Sequence, residues 1–430
     1  MEVRMTFFWK RNLKRCVSGF LAAAISTLSV GMAYAAPGIG PGLDNLSPSD
    51  NLAVYQWGLK NDGKLRLNLR GLKTDSANDI YQSWTEWNQN GRIGIPPRSI
   101  EPSDFDYGSI DSIEGIDINL TSAIKQYESD NSERRDVIVA LIDTGVDTEH
   151  AELKDAIWTN PGEIPGDGID NDGNGYTDDI HGWNFYDNNN RVRYNKIADK
   201  HGTHAAGTIG ARRGNGGITG ITDNAHVKIM VLKVLGQNGA GSPEAVINAI
   251  KYAEANGASI CNLSLGSTKY LPELEEQIKN SSMLFVAAVG NGDMNGVGYD
   301  TDQSGVYPAS FSSDNIISVA NMMFNGELDV SSNYGAQTVD VAAPGSYILS
   351  TTPGNTFEFL TGTSMAAPIV TGIAAFVYSY RPDLSLLQVK EAILNTVVKE
   401  DCLSGKVSSG GYPDAYAAMN YGRENTDNTD

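Results

Sequence analysis

The order of hydrophobic and polar positions changes character near Asp136. From there on, short unbroken apolar runs alternate with longer stretches in which apolar residues recur every three or four positions. Unbroken apolar runs predict strands that are covered on both faces, as in a parallel sheet between helices. The predicted strands are residues 137–142, 227–234, 259–265, 284–289 and 316–319.

Helices are predicted between these strands. Residues 243–256 form one candidate, with Ser242 as N-cap and Gly257 as the stop signal. Residues 271–280 and 384–398 form two more. Alternating strands and helices predict an α/β fold, a doubly wound and mostly parallel sheet between helices, in which functional groups collect at the carboxyl ends of the strands.

The first 35 residues have the pattern of a secretory signal peptide. Four basic residues between positions 10 and 15 precede an apolar run over residues 16–32, and the small-residue spacing of a signal-peptidase site follows, ending at Ala35. We therefore predict cleavage after Ala35 and a secreted or extracellular protein. The alternative is an uncleaved membrane anchor, because the apolar run is close to the minimum length that spans a bilayer.

Composition narrows the classes of function. The formal net charge of -20 argues against binding to nucleic acid or to an anionic membrane, both of which need basic surfaces. Only three cysteines occur, and Cys16 lies in the predicted signal peptide, so at most one disulfide can join Cys261 to Cys402. Cys261 lies in an apolar run and is expected to be a small buried thiol.

One motif supplies a carboxylate, and a second motif supplies an imidazole. Asp143 directly follows the predicted strand 137–142 and precedes Thr-Gly, so its carboxylate lies where a buried strand ends. His201 begins the run His-Gly-Thr-His-Ala-Ala-Gly, which predicts a helix of small residues whose Gly202 and Gly207 allow close approach of neighbouring backbone. Histidine side chains titrate near neutral pH, which suits them to general base and general acid catalysis.

A third motif contributes a hydroxyl. Ser364, within Gly-Thr-Ser-Met-Ala-Ala-Pro, begins an apolar stretch that runs to Tyr380 and predicts a buried helix whose positive end faces the serine. Pro368 is expected within the opening turn of that helix, where amide hydrogens have no intrahelical acceptor. Together the three motifs supply the nucleophile, base and orienting carboxylate of acyl transfer.

Each motif taken alone has another interpretation. Asp-Thr-Gly also occurs in aspartic proteases, but the chain has no second copy. His-Gly-Thr-His could hold a metal, but the helical signature His-Glu-x-x-His is absent, so packing is the expected role of His204. A lone Gly-x-Ser is also a common helix cap. An α/β-hydrolase esterase needs Gly-x-Ser-x-Gly and the order Ser, Asp, His, which the motif around Ser364 and the order of the motifs reject.

The ordered set of Asp143-Thr-Gly, His201-Gly-Thr-His-Ala-Ala-Gly and Gly362-Thr-Ser-Met-Ala-Ala-Pro resembles the subtilisin-like serine proteases. The resemblance implies a subtilisin-like fold and a serine endopeptidase that cleaves proteins or peptides through an acyl-enzyme, expected here as a monomer. The resemblance implies these catalytic roles: Asp143, His201 and Ser364 as the triad, and Asn291 as the amide donor to the oxyanion.

The resemblance also implies where the substrate binds. The corresponding residues are Ser264, Leu265, Gly266, Ala288 and Gly290. They are apolar or small, which favours an apolar side chain before the scissile bond. Nearby acidic residues could instead attract Lys or Arg; these are Asp293, Asp300 and Asp302.

The resemblance suggests a division of the chain. A peptidase domain is expected over residues 51–422, with an insertion around 76–114, and a polar tail over 423–430. Residues 36–50 are expected to be a linker or a vestigial propeptide, and an unusual insertion within 64–135 is the alternative account of maturation. A binding protein that keeps this fold without activity is the main alternative function, and the complete set of motifs argues against it.

An acidic segment has the spacing of a calcium loop. Counting Asp170 as the first position, oxygen donors fall at alternate positions and a glycine at the sixth. The twelfth position is His181 rather than Glu, so the segment departs from an EF-hand. The expected Ca²⁺ ligands are Asp170, Asp172, Asn174, the Tyr176 carbonyl, and Asp178 or Asp179. A solvated acidic turn is the alternative. Glu152 with residues 215–218 forms a second, weaker candidate.

Overall fold

The computed structural model describes residues 6–7, 50–72, 105–293 and 296–423. The predicted signal-peptidase site, the segment 36–49 and the tail from 424 lie outside the described residues. The strands are β1 Thr6–Phe7, β2 Arg66–Leu72, β3 Phe105–Asp111, β4 Val137–Asp143, β5 Gly182–Asn184, β6 Val227–Lys233, β7 Ile260–Leu263, β8 Leu265–Gly266, β9 Leu284–Ala288, β10 Ile316–Met322, β11 Val341–Pro344, β12 Ile348–Thr352, β13 Thr356–Leu360, β14 Val398–Lys399 and β15 Gly411–Tyr412. The helices are α1 Leu120–Ser129, α2 Lys200–Gly210, α3 Pro243–Ala255, α4 Pro272–Lys279, α5 Thr363–Tyr380, α6 Leu386–Asn395 and α7 Ala415–Met419.

A seven-stranded sheet forms the centre of the larger unit, which contains the described residues of 50–61 and 115–423. Its strand order is β11-β10-β9-β7-β4-β6-β5, and every pair is parallel. Strands β5 and β6 lie on one side of β4, and the later strands β7, β9, β10 and β11 lie on the other side. The strand order therefore reverses at β4. Crevices at such a reversal, beyond the carboxyl ends of the strands, are where α/β proteins bind ligands. The predicted α/β fold is confirmed.

The sequence predicts five of the seven strands of this sheet and misses β5 and β11. The elements that it does predict differ from the observed ones mainly at their ends. The apolar run 259–265 is interrupted at Ser264, which separates β7 from the short strand β8. The N-cap of α3 is confirmed, because Ser242 Oγ accepts a hydrogen bond from the Ala245 N–H at 3.1 Å. Gly257 follows that helix with φ +79°, a conformation that glycine adopts without strain.

Helix α5 is buried along almost its whole length, as predicted, but the expected position of Pro368 within it is wrong. The helix begins at Thr363, so Pro368 is its sixth residue and lies beyond the opening turn. Its missing N–H would have bonded to the Ser364 carbonyl. That carbonyl instead accepts a hydrogen bond from Ser264 Oγ at 3.0 Å, so the helix continues without an unsatisfied buried group.

Hydrophobic residues on both faces of the sheet form the core. Helix α5 has the length and the hydropathy of a membrane-spanning helix, but 94% of its residues are buried inside the protein. Cys261 is buried and unpaired, as expected, and Cys402 is also a free thiol. Burial raises the pKa of the Cys261 thiol, which keeps it protonated and unreactive.

The smaller unit includes residues 62–72 and 105–114 of the described chain. Its strands β2 and β3 pair antiparallel, with Arg66 opposite Asp111. Residues 73–104, which contain most of the predicted insertion, lie outside the described residues.

Close packing of α2 against β12 gives a direct test of the fold. A Cβ atom at Gly207 would lie 2.2 Å from Thr351 Oγ1 and 2.5 Å from Ser350 Oγ. We expect Gly207→Ala to destabilise the protein by about 1–3 kcal/mol in urea unfolding, because the helix must move off the strand. Gly210→Ala is the matched control in the same helix, since its Cβ would meet atoms no closer than 3.2 Å. Equal effects of the two substitutions would contradict this account.

Candidate active site

Asp143 is the last residue of β4 and is almost fully buried, with 1% of its surface exposed. One carboxylate oxygen accepts a hydrogen bond from the Thr144 N–H at 2.6 Å. Both oxygens contact His201 Nδ1, Oδ1 at 2.8 Å and Oδ2 at 2.9 Å. The structure therefore brings together the carboxylate and the imidazole that the sequence singled out.

His201 is the second residue of α2 and is 4% exposed. The next residue explains how the helix approaches β4 so closely. The Gly202 N–H donates to Thr144 Oγ1 at 3.0 Å, and a Cβ at Gly202 would lie 2.2 Å from the Gly145 carbonyl oxygen. Only glycine fits there, which confirms the close approach predicted at this position.

Ser364 is the second residue of α5 and is 1% exposed. Its hydroxyl donates to the Ser264 carbonyl at 3.2 Å, while its own carbonyl accepts from Ser264 Oγ at 3.0 Å. These two reciprocal bonds connect the predicted nucleophile to the predicted substrate-binding segment. The sequence motifs gave no signal for this pairing, which joins residues 100 positions apart.

Asn291 follows β9 and meets the first residue of α5. Its side-chain oxygen accepts hydrogen bonds from the Thr363 N–H at 2.8 Å and from Thr363 Oγ1 at 3.1 Å. Thr363 Oγ1 also accepts from the Gly290 N–H at 3.1 Å. Sequence reasoning missed Thr363, although it directly precedes Ser364 in the motif.

The segment from Ser264 to Gly266 presents a strand edge. Strand β8 pairs antiparallel with Thr6–Phe7 of the same chain, Thr6 opposite Gly266 and Phe7 opposite Leu265. The backbone of Leu265 and Gly266 is therefore paired as a strand by residues 6–7 of the chain. Leu265 and Ala288 are fully buried, so the predicted binding residues include apolar walls.

His204 has a different environment from His201. It is fully buried, and its Nε2 lies 2.9 Å from the Ile348 carbonyl oxygen and 3.2 Å from that of Glu358. Burial lowers the pKa of His204 to about 3, so the ring is neutral at working pH. The expected packing role is confirmed, because this ring ties α2 to the hairpin of β12 and β13.

The acidic segment gathers three carboxylates. Oxygen atoms of Glu163, Asp170 and Asp172 lie within 4.8 Å of one another. Glu163 was missed by sequence reasoning because it lies seven residues before the loop pattern begins. It also accepts from the N–H groups of Asn171, Asp172 and Asp178, which holds the loop around it.

The other predicted calcium ligands make hydrogen bonds to groups of the protein. Asp178 accepts from the N–H groups of Gly166 and Gly168. Asp179 is fully buried and accepts from Asn160 Nδ2 at 2.8 Å and from the Tyr252 hydroxyl at 2.5 Å. The Asn174 amide donates to Asp172 and Asp179, and its oxygen accepts from the Tyr176 N–H. Of the predicted carboxylate ligands in the described residues, Asp170 and Asp172 are the ones whose oxygens converge with Glu163.

Glu152 forms a second acidic centre. It is 4% exposed, and among the described residues its Oε2 has no hydrogen-bond partner. Burial raises the pKa of Glu152 to about 7; a hydrogen bond from Asn215 opposes the shift and the charge of Asp50 adds to it. Asp50 accepts from the N–H groups of Gly214, Asn215 and Gly216. A cation beside Glu152 would compensate this buried charge.

Comparison with known proteins gives close relatives. The chain is 38% identical over 253 residues to the "Major intracellular serine protease" of Bacillus subtilis (strain 168), a match of 58% of this chain and 70% of that protein. It is 33% identical over 267 residues to "Subtilisin DY" of Bacillus licheniformis, covering 60% of this chain and 83% of that protein.

A third relative is the "Subtilisin-like protease 1" of Plasmodium vivax, 34% identical over 299 residues. That match covers 66% of this chain but only 47% of the relative, so the chain spans about half the length of this protein. The model of the Subtilase family matches residues 134–424, which include Asp143, His201 and Ser364. The chain therefore belongs to the Subtilase family of serine-type endopeptidases.

Proposed function

We propose that the protein hydrolyses peptide bonds with Ser364 as nucleophile, His201 as general base and Asp143 as the carboxylate that orients the base. The observation that carries this proposal is the contact of His201 Nδ1 with both Asp143 oxygens, at 2.8 and 2.9 Å. An ionised carboxylate only accepts hydrogen bonds, so Nδ1 carries the proton and Nε2 presents a lone pair. That tautomer is the one needed to accept a proton from a hydroxyl.

Each proposed step uses groups of this chain. Ser364 Oγ bonds to the scissile carbonyl carbon while His201 Nε2 takes the hydroxyl proton, which produces a tetrahedral oxyanion. The C–N bond then breaks, the imidazolium returns its proton to the leaving amine, and the acyl group stays on Ser364. His201 Nε2 then takes a proton from a water molecule, which attacks the acyl carbon. The ester bond breaks, and the acid product and the Ser364 hydroxyl are released.

Asn291 is the proposed side-chain donor to the oxyanion. Because Thr363 occupies the Asn291 Oδ1 with two hydrogen bonds, the Nδ2 hydrogens face the opposite side of the amide. The Ser364 N–H lies in the first turn of α5, where amides lack intrahelical acceptors, and is the proposed second donor. Donors fixed before reaction stabilise the developing charge without reorganising.

We propose that a substrate peptide binds as an added strand along Ser264 to Gly266. The antiparallel pairing of β8 with Thr6–Phe7 supports this mode, since main-chain bonds of that kind are independent of sequence. A preference for apolar side chains before the scissile bond is supported by the buried Leu265 and Ala288. Asp300 and Asp302 give less support for a basic substrate side chain, because their carboxylates already accept hydrogen bonds: Asp300 from Gln303 in the same loop, and Asp302 from Thr338.

Secretion and the division of the chain are also proposals. The charge and apolar pattern of residues 1–35 supports export and cleavage after Ala35. We propose a peptidase domain over residues 51–422, acting as a monomer on proteins or peptides. The likeness to a protease named intracellular gives no support for export, so export depends on the N-terminal pattern alone.

We propose that Ca²⁺ binds the acidic segment as a structural ion. The donor set fits, because Glu163, Asp170 and Asp172 converge and hard oxygen donors are what Ca²⁺ prefers. The ion would neutralise carboxylates that repel one another. The second proposed position is beside Glu152, where the unpartnered Oε2 is the supporting observation among the described residues.

Replacing the nucleophile tests the proposed mechanism. We expect Ser364→Ala to lower kcat by about 10⁶-fold on a peptide substrate, which is the magnitude known for subtilisin itself, a member of this family. Labelling of the wild-type enzyme by a fluorophosphonate should disappear in the variant. Ser304→Ala, at an exposed serine, is the control and should keep full activity and labelling. A wild type that neither cleaves nor labels would favour the non-catalytic binding protein.

Truncating Asn291 tests the proposed oxyanion donor. Asn291→Ala should lower kcat by about 10²–10³-fold, again the effect known in subtilisin, and leave KM nearly unchanged. The reason is that the donor bonds the transition state and not the ground state. Asn325→Ala removes a half-buried amide that bonds the exposed Glu327 and should leave both constants unchanged. A loss expressed in KM would assign Asn291 to substrate binding instead.

Chelation tests the calcium proposal. In the inactive Ser364→Ala background, removal of Ca²⁺ by EDTA should lower Tm by several degrees, because a ligand that binds only the folded state stabilises it. Glu163→Gln should remove part of this effect and Glu152→Gln another part. Asp155→Asn changes an exposed carboxylate that pairs with Arg212, and should leave the EDTA effect intact. A Tm independent of EDTA would reject both sites.

A further inference from the structure

A buried ion pair lies beside the end of the strand that carries Asp143. Lys233 is the last residue of β6, and its Cα is the register partner of Asp143 at the end of β4. Its side chain is 2% exposed, and its ammonium lies 3.8 Å from Asp199 Oδ1, whose side chain is 1% exposed. Charged side chains are almost never buried to this extent unless they are paired.

Lys233 supports the turn that carries Asp143. Its ammonium donates to the carbonyl oxygens of Thr144 and Leu235, the latter at 2.9 Å. The Asp143 carbonyl in turn accepts from the N–H groups of Val234 and Leu235. The backbone on both sides of the catalytic carboxylate is therefore fixed by the end of β6.

Asp199 supports the other partner of the contact. It lies two residues before His201, and its Oδ2 accepts from the N–H groups of Tyr194 and Asn195. Its carbonyl accepts from the Thr203 N–H at 2.9 Å. Among the described residues its Oδ1 has no hydrogen-bond partner, so Lys233 is the cation that balances this oxygen.

We propose that Lys233 and Asp199 are positioning residues that lock the strand of Asp143 to the helix of His201 and set the charge balance around the imidazole. This inference rests on the proposed triad. Burial raises the pKa of Asp199 and lowers that of Lys233. The N–H groups of Tyr194 and Asn195 and the attraction of Lys233 oppose the shift of Asp199, and the attraction of Asp199 opposes that of Lys233. Each residue thus favours the ionised form of the other, together with the backbone groups that bond it.

The charge balance gives predictions of opposite sign. Lys233→Met removes a positive charge, while Asp199 stays ionised through the N–H groups of Tyr194 and Asn195. The loss of positive charge favours imidazolium, so the acidic limb of the kcat/KM profile should move to higher pH. Asp199→Asn removes a negative charge and keeps an acceptor oxygen, so the limb should move to lower pH. Each shift should be about 0.5–1 pH unit, and the double variant should return close to the wild type.

Other ionisable groups around these residues are common to all variants and do not alter the comparison. They are Lys200 with its partner Glu358, His204, Asp187, and Asp147 with its partner Arg193. Lys228→Met is the matched control, because Lys228 lies on the same strand, about 16 Å toward its other end. Its ammonium bonds the Asp155 and Asn224 carbonyls, and its removal should not move the limb.

The test measures kcat/KM against pH for the wild type, both single variants, the double variant and Lys228→Met. The imidazole of His201 is titrated in parallel by NMR in the Ser364→Ala background, with His201→Gln to assign its signal. Opposite shifts of the two single variants, cancelling in the double variant, support the inference. Shifts of the same sign, or none in variants with a native circular dichroism spectrum, overturn it. Failure of the triad proposal is recognised separately, by a wild type that is inactive or by a Ser364→Ala variant that is not.

Discussion

A carboxylate buried at the end of a parallel strand is stable only if donors surround it, and the architecture around Asp143 meets this constraint. The donors come from the next residue, Thr144, and from His201 on α2. An unpaired buried charge would cost several kcal/mol, so the imidazole stabilises the fold as well as serving the proposed chemistry. The helix must then approach the strand more closely than ordinary side chains allow, which is why glycine occupies position 202.

The sheet determines which groups can meet. Seven parallel strands bring their carboxyl ends to one edge, and the strand order reverses at β4. Asp143 ends β4, Lys233 ends the neighbouring β6, and Ala288 ends β9 just before Asn291. Helix α5 then brings Ser364 to the segment that follows β7 through the Ser264 bonds. The proposed site is therefore assembled from strand ends and helix starts, whose backbone is held by the sheet itself.

Periodicity was sufficient to predict five of the seven strands of the central sheet, because burial on both faces leaves a strong signal. It missed β5 and β11, which span only three and four residues. The runs at β4 and β6 were predicted to within one residue, and the parallel sheet followed from their alternation with helices. The through-space partners were not predictable. Thr363, Glu163 and Lys233 act through hydrogen bonds and ion pairs with residues that are distant in sequence or outside any motif. Such contacts depend on three-dimensional register, which leaves no period in the chain.

Pro368 shows how one local departure is connected to the proposed site. A proline at the sixth position of a helix frees the carbonyl four residues earlier, and in α5 that carbonyl belongs to Ser364. Ser264 Oγ fills the vacancy, while the Ser264 carbonyl accepts the Ser364 hydroxyl. The proline thus leaves the Ser364 carbonyl without a helical donor. Ser264, in the proposed substrate strand, supplies that donor. Because one residue pair makes both bonds, the residue that satisfies the carbonyl freed by the proline also holds the hydroxyl of the proposed nucleophile.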